Sequence, residues 1–129
     1  MNGLQELVMD EYIITSPDFD FVELQTGLDV FAHMQLMDER LLLRLQLVVE
    51  ELTMSGVVRS HDIKYPAKLS VEYSQTDKSC VVILIYKHPQ MNVVDYVDEL
   101  AMKLLSGDTQ SIDYSYDENV NKITLTIKQ

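Results

Sequence analysis

Residues 80 to 86, CVVILIY, are seven apolar residues in a row. A strand with one wet face alternates polar and apolar side chains. This run has no polar side to turn to water, so it reads as the central strand of a sheet. Before it, KLSVEY (68 to 73) does alternate, and SQTDKS supplies a polar turn, so the two make a hairpin. QSIDYSY and KITLTIK, separated by DENVN, alternate at period two and form a closing hairpin. EYIIT (11 to 15) is β-branched and aromatic, stops at Ser16-Pro17, and reads as a first strand.

Three helices fill the gaps. Asp20 with Glu23 three residues on has the shape of a capping box, and Phe21, Leu24, Leu28, Phe31 and Ala32 recur at helical spacing, with Gly27 as the weak point. Asp38 can cap a second helix whose stripe is Leu41, Leu42, Leu45, Val48, Val49 and Leu52. Leu43 and Leu47 add apolar surface on its other side, which predicts burial on more than one face. A third helix is expected from Val93, through Val94, Val97, Leu100, Ala101 and Leu104, to Ser106-Gly107. The order β-α-α-β-β-α-β-β predicts an α+β two-layer sandwich, with helices on one face of a largely antiparallel sheet. At 129 residues this is one domain, with residues 1–10 expected as a poorly ordered or short helical extension.

Composition narrows the function classes. Ten Lys and Arg against twenty-one Asp and Glu give a formal charge of -11, which repels phosphate backbones and anionic headgroups and disfavours direct nucleic-acid or membrane binding. Cys80 is the single cysteine, so no internal disulfide forms; it reads as a small buried hydrophobe, and a reducing, cytoplasmic setting is expected. Apolar runs fall far short of the roughly 20 residues that span a bilayer, and MNGLQELVMDE is acidic where a signal peptide is basic. His33, His61 and His88 are scattered, and no metal site is expected. Asp95, Asp98 and Glu99 read as a solvated acidic face.

The end of the second helix, VVEELTMSG (48 to 56), is the one stretch with candidate chemistry. At 100 degrees per residue, Arg44, Val48, Glu51 and Ser55 share one flank of the apolar stripe, while Glu50 points away. Glu51 is thus at a boundary between core and cleft, where a carboxylate can act as a base on water. The plainer reading is a carboxylate at the edge of a core helix, answering Arg44 or Arg59.

LQLVVEELTMSGVV, ELAMKLL and IDYSYDENVNKITLTIK, taken with the order of elements, resemble the GHKL (histidine-kinase-like) ATPase domains, and among them the small anti-sigma-factor serine kinases. Those proteins run strand, two helices, hairpin, lid, helix and final hairpin, so the resemblance covers nearly the whole chain. It places Glu51 at the family's catalytic base and Ser55 at its magnesium-holding asparagine. It places Tyr86-Lys87-His88 and Pro89 where the adenine-reading Asp-x-Gly stands, and Val97-Asp98-Glu99 near the Gly-x-Gly phosphate cradle. Acidic side chains there have the wrong sign for a triphosphate. The resemblance therefore implies a degenerate scaffold with no cofactor, acting by protein interaction. Its expected partners are a sigma factor or antagonist-like regulator, or a second copy in a homodimer. Two alternatives stay open: an active Mg-ATP-dependent serine kinase or ATPase with a divergent site, and an unrelated α+β subunit of a larger assembly.

Overall fold

The structure, a computed structural model, describes residues 6–8, 11–58 and 64–128. Strands β1 (Glu6–Val8) and β2 (Tyr12–Ile14) precede helices α1 (Phe21–Met34) and α2 (Glu39–Glu50), and α2 runs on into a π-helical segment (Glu51–Val57). Then come β3 (Lys64–Ser74), β4 (Ser79–Lys87), a 3-10 turn (Val93–Tyr96), helix α3 (Glu99–Asp108), β5 (Ser111–Asp117) and β6 (Val120–Lys128). The six strands make one antiparallel sheet in the order β1-β3-β4-β6-β5, with β2 also paired to β3. The α+β class and the antiparallel sheet with its helices on one face are as the alternation predicts. The additional strand is β1, Glu6–Val8; it falls within residues 1–10, expected as a poorly ordered or short helical extension, the rest of which lies outside the described residues.

The core lies between the helices and one sheet face. Along β4, Cys80, Val82, Leu84 and Tyr86 are buried, and they meet Leu69 and Val71 of β3 and Ile123, Leu125 and Ile127 of β6. Leu24, Leu28 and Phe31 of α1 and Leu41, Leu45, Val48 and Val49 of α2 cover them. The expected burial of α2 on more than one face is corrected: Leu43 is exposed and Leu47 half-buried, because the outer side of α2 meets solvent rather than a second layer. Both predicted caps form, Asp20 accepting from the Glu23 amide at 3.0 Å and Asp38 from the Arg40 amide at 2.8 Å.

The third helix differs more from its expected form. Val93–Tyr96 is a separate 3-10 turn, Val97 is extended, and α3 starts only after Asp98, whose carboxylate accepts from the Ala101 amide at 2.7 Å. That break resets the phase of the helix. Ala101 and Leu105 face the core, and Leu100 and Leu104, expected inside, are exposed.

Helix α1 ends in a Schellman motif, with the Met37 amide bonded to Ala32 O at 2.9 Å and the Leu36 amide to His33 O at 3.2 Å. The left-handed position normally taken by glycine is held by Leu36 at φ 55, with its side chain 88% exposed. Leu36→Gly removes this strain and sacrifices no packing. It is expected to raise stability by about 0.5–1 kcal/mol in urea unfolding.

Met37, the next residue, is buried with its sulfur 3.9 Å from Cys80 Sγ. Burial pushes the Cys80 thiol up from 9.0 to about 12. Its contribution to stability is therefore constant below about pH 9. It falls as pH rises toward 12, because the unfolded chain releases a proton that the folded chain keeps. The stability difference between wild type and Cys80→Ala, followed by urea midpoint from pH 8 to 11, is expected to shrink across that window and to be flat below it.

Candidate functional site

The end of α2, the end of β4 and the start of α3 converge on one region, since the π-helical segment packs against both the 3-10 turn and α3. Within the segment the amides bond five residues back, as the Val58 amide does to Thr53 O. Thr53 is fully buried in this widened turn, and its hydroxyl donates to Val49 O at 2.7 Å, so its burial leaves no unmet donor. One turn of helix separates Glu51 from Ser55, and the Ser55 hydroxyl donates to Glu51 Oε2 at 2.9 Å, with both residues half-buried. The two sequence candidates are thus in direct contact, and Ser55 is what Glu51 answers. Arg44 is turned elsewhere, its guanidinium donating to Lys128 O at 2.8 Å, and Arg59 lies outside the described residues.

Gly56 allows the 3-10 turn to come close. A Cβ added there would meet Val93 O at 3.4 Å and the Val93 and Val97 methyls at 3.6 and 3.7 Å. Val93 is fully buried, and Met91 and Val94 nearly so, and all three belong to the hydrophobic core.

Tyr86, 1% exposed, holds that filling in place. Its hydroxyl donates to Met91 O and accepts from the Val93 amide at 3.0 Å. Burial raises its pKa, and the amide bond from Val93 opposes part of that rise. Asn121 of β6 completes the lock. Fully buried, it accepts through Oδ1 from the Met91 amide at 3.0 Å and from the Tyr114 hydroxyl, and it donates through Nδ2 to His88 O at 2.9 Å. The His88 amide adds a bond to Asn119 O at 2.9 Å, so the chain from His88 to Val93 is tied to β4 and β6 along its length.

The start of α3 is acidic. Asp98 caps the helix and Glu99 occupies its first turn, with Asp95 just before, so the amides that attract an anion at a helix N-terminus already face a carboxylate. Glu99 also reaches Lys103 at 3.9 Å across an exposed turn. Among the described residues, no three of His, Cys, Asp and Glu gather where they could hold a metal ion; His61 lies outside those residues.

Sequence reasoning found Glu51, Ser55, Tyr86 and the Val97–Glu99 stretch, and the fold brings these to one end of the molecule. It missed Asn121, which reads as one more polar residue of DENVN. No signal in the chain reveals a buried asparagine whose partners are 30 and 33 residues away. Asp98 as a cap was findable, since an aspartate three residues before an alanine in an apolar run is an N-cap pattern. No protein-family model matches the chain, and no curated protein is detectably similar to it.

Asn121→Ala removes the side chain that bonds the Met91 amide, the Tyr114 hydroxyl and the His88 carbonyl. It is expected to cost about 2–4 kcal/mol in urea unfolding. Hydrogen exchange at the Met91 amide is expected to accelerate more than exchange along β4, because the loop is released before the sheet opens.

Proposed function

We propose that this chain is a non-catalytic regulatory domain that works by binding another protein, on a degenerate GHKL scaffold that has lost ordinary ATP binding. The observation that carries the proposal is the Asp98 carboxylate capping α3, at the place where the resemblance puts the phosphate cradle. A triphosphate brought there would displace a hydrogen-bonded carboxylate and then meet Asp95 and Glu99, a like-charge arrangement whose cost grows as water is excluded. Two further features support it. Val93 and Val97 stand against Gly56, and Tyr86, at the adenine-reading position, spends its hydroxyl on the backbone of Met91 and Val93.

What supports the scaffold is the succession from β2 onward, a strand, two helices, a hairpin, an irregular stretch, a helix and a closing hairpin, with β1 as an additional strand ahead of it. The partner is a regulatory protein of sigma-factor or antagonist type in the cytoplasm. The -11 charge favours a partner with a basic face and adds speed to the encounter. No helix among the described residues is long and apolar enough to cross a membrane.

One observation favours a second reading, an ATP-dependent serine kinase or ATPase with a divergent site. Ser55 Oγ is 2.9 Å from Glu51, so a base and a metal-ligating hydroxyl would stand side by side. Isothermal titration separates the two readings. With Mg-ATP or Mg-ADP at about 1 mM, no saturable heat is expected, and the thermal midpoint is expected to stay within about 1 °C. A ligand at about 100 times its dissociation constant would instead add about 2.7 kcal/mol and move the midpoint by several degrees. Micromolar affinity for Mg-ATP, with turnover abolished in Glu51→Ala, would replace the first reading by the second.

A further inference from the structure

Helices α1 and α2 pack as a hairpin whose outer side stays open. Gln25 donates through Nε2 to Gln46 O at 3.2 Å and ties the two helices together. Two surface depressions of about 290 and 310 Å³ lie along them, and they meet at Asp29 and Gln46, which line both. Together they form one groove. From Phe21 to His33 along α1 it runs about 18 Å, the rise of some three helical turns.

The groove and the hairpin tip carry features that this chain leaves unfinished. Val22 and Leu43 line the depressions at 72% and 59% exposure, and at the tip Met34 and Leu36 are uncovered as well. Leu36 is held there at φ 55, a conformation that strains a leucine. Strain that secures no packing within the chain points to a contact outside it. Gln25, in the wall of the groove, adds a second such feature. Its Oε1 is buried with no hydrogen-bond partner among the described residues.

Charge selects the occupant. Asp29 stands where the depressions meet and Glu39 lines one of them, while neither lysine nor arginine lines either. The remaining titratable group is His33, whose Nδ1 lies 3.7 Å from Asp29 Oδ1. An apolar groove flanked by carboxylates fits an amphipathic helix whose leucine-type stripe is bordered by lysine or arginine. This chain has no such helix to offer a second copy. None of α1, α2 and α3 carries a net positive charge, and the chain as a whole carries -11.

We infer that the groove between α1 and α2 is the docking site for a basic amphipathic helix of a partner protein. The apolar stripe of that helix lies on Val22, Leu42 and Leu43, its cationic side chains meet Asp29 and Glu39, and Leu36 anchors it at the hairpin tip. The inference deepens the protein-binding role proposed above and rests on it, and the two fail separately. Binding of Mg-ATP would overturn the earlier proposal and leave the groove standing, whereas a groove that takes no helix leaves the nucleotide result unchanged.

Fluorescence anisotropy with two labelled peptides tests it. Both have about 14 residues, about 21 Å when helical, with leucines at i, i+3, i+4 and i+7, and they differ only in carrying lysine or glutamate beside that stripe. The lysine peptide is expected to bind the full chain saturably, and the glutamate peptide at least about tenfold more weakly. Leu43→Glu and Asp29→Lys are each expected to weaken binding at least about tenfold, with unchanged far-ultraviolet circular dichroism. Asp113→Lys makes the same charge change on β5, outside the groove, and is expected to alter binding by less than about threefold. Leu36→Gly gives the sharpest contrast, since it is expected to bind more weakly while its urea midpoint rises. No saturable binding of the lysine peptide, equal binding of both peptides, or equal losses in Asp113→Lys and Asp29→Lys would overturn the inference. So would a Leu36→Gly protein that binds at wild-type strength. Leu43→Glu that abolishes self-association in sedimentation equilibrium but leaves peptide binding intact would assign the groove to a second copy instead.

Discussion

Strand β4 is hydrogen-bonded along both edges, to β3 and to β6, and the rest of the molecule takes its position from it. Its core-facing side chains are met by α1 and α2, and its end, Tyr86, governs where the chain goes next. A strand so enclosed cannot shift register by one residue without exchanging its buried row for the half-buried one. The two hairpins that flank it are held to the same register by short turns, one of them the two residues Glu118 and Asn119, both at positive φ.

Because the core is one-sided, the molecule has two functionally different ends to its chemistry. Where α2, β4 and α3 converge, apolar side chains and a saturated asparagine occupy the interior and carboxylates surround the entrance. This arrangement favours stability over ligand capture, since Thr53, Tyr86, Asn121 and Asp98 each spend their side-chain polar atoms on the backbone around them. The open sheet face is the reverse, with aliphatic side chains half in water and lysines unmatched by their neighbours.

The caps at Asp20 and Asp38, the two late hairpins and the buried stripes of α1 and α2 were legible in the chain, because each depends on residues within a few positions of one another, whereas the outer side of α2, with Leu43 exposed, was not. The break at Val97 was misread for a related reason. Val93 to Leu104 fits one helical period if counted without interruption, and Asp98 interrupts it by offering its carboxylate to a backbone amide. A shift of phase at one cap then turned Leu100 and Leu104 outward and Leu105 inward. The contact of Glu51 with Ser55 was legible as a shared flank, but the widened turn that carries both residues was not.

Hydrophobic periodicity and capping chemistry by themselves determined that this chain would be α+β, with CVVILIY at the centre of an antiparallel sheet and two helices capped by aspartate. They also placed Glu51 and Ser55 together, since four residues on a helix are neighbours in any fold. Only the tertiary structure decided what fills the space next to that pair. Val93 reaches Gly56, Tyr86 reaches back to Met91 and Val93, and Asn121 ties His88 and Met91 to β6, across separations with no local periodicity to record them. Tertiary packing also decided that Val81, Ile83 and Ile85, indistinguishable in the sequence from their buried neighbours, would face outward, because the helices cover one side of the sheet only.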